Sequence, residues 1–227
     1  MTFNKHFIFY GTLFLLLSCA SQNERLLKGF VYVQDYIPDM IVDLRYFGPH
    51  NFTGRPVNGY ERPVLIMSYQ AVQALTKVQT QLKSQGLGLK AFDAYRPQRA
   101  VDSFEIWAKD ISDTIAKSEF YPHVKKNDLF RLNYLASKSG HTRGSTIDVT
   151  LINLETKEEL DMGSPFDFFG EISHQHTLLI NEKQKANREI LKQIMLENNF
   201  KEYNEEWWHF TLVNEPFPDT YFDFIIK

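Results

Sequence analysis

A chain of 227 residues with 15% aromatic side chains is long enough to bury a core unaided and too apolar to be disordered. Its 25 basic and 28 acidic residues leave a net charge of -3 and are mixed along the chain, so no basic stripe exists for nucleic acid. Cys19 is the single cysteine, which excludes an internal disulfide and leaves the fold to packing or to a metal.

The chain opens with Lys5, His6 and an apolar run, Phe7 to Leu17 (FIFYGTLFLLL). Roughly a dozen residues fall short of the ~20 that span a bilayer. They have the length of a signal-peptide core followed by small residues. Cys19 stands at the cleavage point of Leu16-Leu17-Ser18-Cys19-Ala20, which resembles a bacterial lipoprotein signal, although Leu17 fills a position where smaller residues are commoner. An ordinary signal peptide with an incidental cysteine is the plainer alternative. The expectation is a signal over 1–19 and diacylation of Cys19 as a two-chain membrane anchor. The product would be an exported periplasmic or outer-membrane-associated lipoprotein. Residues 20–29 are polar and read as a tether, and 30–227 as one domain.

Ile41 to Tyr46 (IVDLRY) predicts a short strand, and residues 47–63, dense in Gly, Pro and Asn, a long loop. A structureless loop of that length in a compact domain is usually functional. Ser68 to Gln85 carries Ala71, Val72, Leu75, Val78 and Leu82 at helical spacing and stops at Gly86 and Gly88. Leu87 to Ala94 predicts a strand, Ala100 to Ile115 a second helix, Ile147 to Leu154 a strand, Glu182 to Asn198 a third helix, and Trp207 to Val213 a last strand. Helices and strands intermix without regular alternation. That predicts an α+β single domain with a central antiparallel or mixed sheet flanked by helices.

Three stretches set polar residues beside strands: Ala94-Tyr95-Arg96-Pro97, Ser139 to Asp148 (SGHTRGSTID), and Glu205-Glu206-Trp207-Trp208-His209. His141 and Asp148 converge if the chain folds back at Gly144, and His209 is the best third ligand for a zinc-type site of His and carboxylate. The plainer reading makes His209 a hydrogen-bonded core residue and Asp148 a turn cap. On a regular strand Glu206 and His209 would face opposite ways. A bulge at Trp207–Trp208 would bring both to one cleft, where a carboxylate acts as general base. Spacing does not choose between Glu205 and Glu206. Arg96, before a proline at a strand end, suits a carboxylate or a developing oxyanion, or else an ion pair with Asp93 or Glu105. His174 and His176 form an H-x-H pair in a loop and are secondary candidates. His50 and His123, next to prolines, read as exposed loop residues.

The same stretches resemble a known family. SGHTRGSTIDVTL is similar to the S-x-H-x-x-G-x-A-x-D signature of the zinc D-alanyl-D-alanine dipeptidases (peptidase family M15). EEWWHF resembles that family's E-x-W-W-H motif, and DAYRP its arginine motif. LRYFGPHNFTGRPVNGY and MGSPFDFFGEISH extend the likeness over about residues 30–213. Thr146 departs from the family's Ala.

The resemblance implies one zinc per chain held by His141, Asp148 and His209, with Glu206 as general base to a zinc-bound water. It implies Arg96 as stabiliser of the tetrahedral intermediate, Ser139 near the substrate, and Asp167 on the substrate's amino group. The implied substrate is the D-Ala-D-Ala dipeptide. A D,D-carboxypeptidase acting on peptidoglycan stem peptides is the runner-up, which an open groove would favour. A zinc-bearing binding module without turnover is the non-enzymatic alternative, against which Glu206 counts. The 47–63 loop is the expected roof of a small closed pocket.

Overall fold

The computed structural model describes residues 26–227; the apolar run and Cys19 lie outside the described residues. Among the described residues there are seven strands: β1 Phe30–Tyr32, β2 Ile41–Val42, β3 Ile66–Ser68, β4 Leu87–Asp93, β5 Thr146–Asn153, β6 Phe200–Tyr203 and β7 Glu206–Leu212. Four α-helices accompany them: α1 Tyr69–Lys83, α2 Gln98–Lys109, α3 Lys117–Phe120 and α4 Glu182–Glu197. The main sheet runs β2-β4-β5-β7-β6, and β1 pairs with β3 in a small second sheet. Only the β2–β4 pair is parallel within the main sheet. The architecture is thus the expected α+β domain with a mixed central sheet.

All five apolar positions predicted for α1 are buried. α1 packs on β4 and α4, and α4 in turn on β5 and β6. α4 starts at a capping box, in which Asn181 and Gln184 satisfy each other's backbone N–H groups. β5 is buried along nearly its whole length, as a strand covered on both faces must be. Asp148 therefore enters a dry environment by its place on this strand.

Two predicted elements are shorter than expected. The strand at Ile41 ends after Val42 and gives way to a 3-10 turn, Arg45–Phe47, which turns Tyr46 into the interior. The second helix stops at Lys109 rather than Ile115. There Asp110 accepts from the Ser112 N–H and Oγ in a local turn, and Lys126 Nζ donates to the carbonyls of Trp107 and Asp110. A lysine thus satisfies the last carbonyls of the helix.

The C-terminal segment straps the fold together. Phe222 N–H donates to Thr142 O and Phe222 O accepts from Gln98 N–H, while Asp223 takes Arg99 through both carboxylate oxygens. Phe217, Phe222 and Phe224 pack around Phe30.

Candidate metal centre

Adjacent strands put the key carboxylate and histidine side by side. Asp93 on β4 sits opposite Asp148 on β5, and Asp148 sits opposite His209 on β7. The register slips between Ala91 and Asp93, a bulge that re-aims the end of β4. A second slip sets Tyr203 against Glu206 and Glu202 against Phe210, so β7 carries extra residues at Trp207–His209. That irregularity lets Glu206 and His209 share a cleft, with Glu206 Oε2 3.4 Å from His209 Nδ1.

His141 comes from a 3-10 turn, Gly140–Arg143, whose ends explain the local sequence. Ser139 Oγ accepts from His141 N–H at its start. Gly144 closes it in the left-handed region, φ 81°. A Cβ there would lie 2.2 Å from Phe30 Cε1. Glycine is required at 144 by conformation and by close approach, not for flexibility.

His141 Nδ1 donates to Ala94 O at 2.7 Å, which leaves Nε2 as a lone pair facing the cleft. That nitrogen lies 3.3 Å from Asp148 Oδ1, and His209 Nδ1 lies 3.2 Å from the same oxygen. The two histidine nitrogens are 3.2 Å apart. Ligand atoms of His141, Asp148 and His209 all fall within 4.8 Å of one another. Asp148 Oδ1 is buried and has no well-aligned hydrogen-bond donor. Two imidazole nitrogens and a carboxylate oxygen converging in a buried site form a donor set that fits a metal ion.

The charges respond to the crowding. Burial pushes the Asp148 carboxyl up, but His141 and His209 pull it well below the usual range. Burial opposes charge on His209, yet the Asp148 and Glu206 carboxylates beside its Nδ1 hold the imidazole up at about 9.

Arg96 does two things at once. Its Nε donates to Asp93 Oδ2 at 2.8 Å, the ion pair expected as the plainer reading, whereas Glu105 pairs with Lys109. Its other end reaches toward the cleft, with Nη2 3.6 Å from Asp148 Oδ2. Tyr46 and Phe104 rings flank the guanidinium. Asp93 also accepts from Tyr60 OH at 2.8 Å.

A cavity of about 210 Å³ opens onto these groups, smaller than the roughly 300–1,000 Å³ typical of ligand pockets. Ser139 and Asp167 line it with Arg96 and Glu206. Asp167 is 4% exposed. Its Oδ1 accepts from Tyr46 OH at 3.1 Å, and its Oδ2 has no partner. Burial first, then the charge of Asp148, raises the Asp167 carboxyl well above the usual range. Its backbone is left-handed at φ 61°, a conformation Asp and Asn tolerate.

The expected roof differs. From the 47–63 loop only Phe52 lines the cavity, and residues 133–140 supply most of the covering segment. The loop is instead an ordered wall: Asn51, fully buried, donates to three backbone carbonyls and accepts twice from Thr53. His174 meets Tyr134 OH and His176 meets Glu202; neither reaches the metal centre. His50 is exposed and pairs with Glu119.

Tyr46 and Tyr60 were missed as site-supporting residues: Tyr46 reads as the end of a strand and Tyr60 as part of the 47–63 loop. Asp93 is the ion-pair partner that the sequence offers for Arg96.

Comparison with known proteins adds an independent line. A family model described as D-ala-D-ala dipeptidase, of peptidase family M15, matches residues 27–227. A D-alanyl-D-alanine dipeptidase of Enterococcus faecalis is 41% identical over 200 residues, covering 88% of this chain and 99% of the relative. One from Streptomyces coelicolor is 40% identical, covering 87% of this chain and 98% of its own. One from Escherichia coli is 31% identical, covering 77% and 80%.

Proposed function

The chain belongs to the D-Ala-D-Ala dipeptidase family of M15 peptidases, and from that premise we propose that it hydrolyses free D-Ala-D-Ala with one zinc ion held by His141, Asp148 and His209. The observation that carries this is the buried triad of converging ligand atoms with Glu206 beside it. Zinc bound there would supply an activated water, with its pKa near ~7, and polarise the scissile carbonyl.

The chain's own groups do the rest. Glu206, 14% exposed at its side chain, takes a proton at its carboxylate during attack and returns one to the leaving amine. Arg96 faces the charge that grows on the carbonyl oxygen, and its pairing with Asp93 fixes its aim. The unpartnered Asp167 Oδ2 receives the substrate ammonium, with Tyr46 OH holding the other carboxylate oxygen. Ser139 sets the turn that presents His141.

A small cavity with a buried acceptor for an amine favours a free amino terminus over an acylated one. The test compares D-Ala-D-Ala with its N-acetyl form. A preference for the free dipeptide of about 10–150-fold, the worth of one buried charged hydrogen bond, is expected. Equal rates, or preference for the acylated form, would point to a D,D-carboxypeptidase. A zinc-bearing module without turnover would have no use for Glu206.

Export as a lipoprotein anchored through Cys19 is part of the same proposal. The apolar run at 7–17 and the lone cysteine support it, and both lie ahead of the family match at 27–227. Loss of palmitate labelling and of membrane association in Cys19→Ala is expected; a membrane-bound, unlabelled wild type would refute it.

A further inference from the structure

We propose that Lys138 is the residue that reads the substrate's C-terminal carboxylate, an inference that rests on the dipeptidase reading and extends it. A dipeptide with free ends is a zwitterion whose charges sit about 7 Å apart, two extended residues. A cavity of about 210 Å³ must therefore answer both charges from opposite ends. The ammonium has its acceptor in Asp167.

The carboxylate needs a cation, and the charges around the cavity leave one. Among the described residues, the arginine and the lysine that line it are Arg96 and Lys138. Arg96 is committed: its Nε to Asp93, its Nη2 near Asp148, its faces to Tyr46 and Phe104. Lys138 is exposed, and its Nζ rests 5.0 Å over the ring of Tyr221 and forms no ion pair with a described carboxylate. The neighbouring cation over the same ring, Arg143, is already neutralised by Glu215. Glu206 and Asp148 add negative charge to the cavity, so a substrate carboxylate entering without a cation of its own meets repulsion.

The backbone holds Lys138 where this role requires. Ser137 O accepts from Gln98 Nε2 at 3.0 Å, and Ser139 caps the His141 turn. Lys138 is thus pinned on both sides, three residues before a metal ligand, while its side chain keeps the freedom to swing from Tyr221 onto a ligand. The aromatic platform holds the ammonium at the rim without quenching it.

The experiment measures kcat and KM of the zinc-loaded full chain and of Lys138→Gln on D-Ala-D-Ala and on the same dipeptide with a C-terminal carboxamide. The expected result is a KM for the acid raised about tenfold, the worth of a part-exposed charged hydrogen bond. Wild type and variant should act alike on the carboxamide, and Lys138→Arg should restore most of the loss on the acid. An unchanged KM for the acid, or equal losses on acid and carboxamide, would overturn the role of Lys138 while leaving the dipeptidase reading intact. A zinc-loaded wild type that turns over neither dipeptide would overturn both.

Discussion

Replacing Asp167 by Asn separates stability from function at one position. The carboxylate is buried, one oxygen lacks a partner, and burial with the charge of Asp148 holds its pKa well above the usual range. A carboxyl with a raised folded pKa favours its neutral form in the fold. The stability it contributes is fully present below the unfolded pKa near ~3.9 and is lost as pH rises toward the folded value. Asn keeps an acceptor for Tyr46 OH, removes the charge and tolerates the left-handed backbone at φ 61°. Removing a buried charge that lacks a partner for one oxygen is worth about 1–3 kcal/mol or more. For a chain of this size that raises the melting temperature by about 2–12 °C.

The assay is a thermal melt of metal-free wild type and Asp167→Asn at neutral pH and again below about pH 4. The gain should be present at neutral pH and vanish in acid. The same variant, loaded with zinc, should raise KM for D-Ala-D-Ala by about 10–150-fold, since a charged hydrogen bond is worth about 1.5–3 kcal/mol. A variant that melts no higher at neutral pH, or that keeps its KM, would refute the reasoning.

Three further outcomes follow from the geometry. Glu206→Gln should keep its metal by elemental analysis and lose about 10²–10⁴ in kcat; full turnover would remove Glu206 as the base. Arg96→Ala should lose turnover by at least the 10²–10³ of an oxyanion donor. It should also lose about 3–5 kcal/mol of stability, because Asp93 is left buried without its cation; a melt like that of wild type would show the pair to be dispensable. Gly144→Ala should lower stability by about 2–5 kcal/mol, from left-handed strain and the collision with Phe30, and weaken metal affinity by displacing His141. Unchanged metal binding by calorimetry would mean that the turn is not what presents His141.

The parts legible in the sequence are those written in local chemistry. The helical spacing of α1 announces itself, as do the strands that carry Asp148 and His209. The bulge that brings Glu206 beside His209 was available only as a condition, because bulge position depends on how β6 pairs with β7. Arg96 was open between an ion pair and a site role, and it fills both because its planar head has two ends to offer. Tyr46 escaped notice since a 3-10 turn, not a strand, aims it at Asp167. The covering segment at 133–140 has no periodicity to betray it. The length of the 47–63 loop drew attention there, although Asn51 makes that loop a wall.

The most direct test of the account is hydrolysis of free D-Ala-D-Ala by the purified chain, with zinc counted in the same sample. The account predicts zinc near one per chain and turnover that a chelator abolishes and added zinc restores. Full turnover without metal, or a full complement of zinc without turnover, would contradict it.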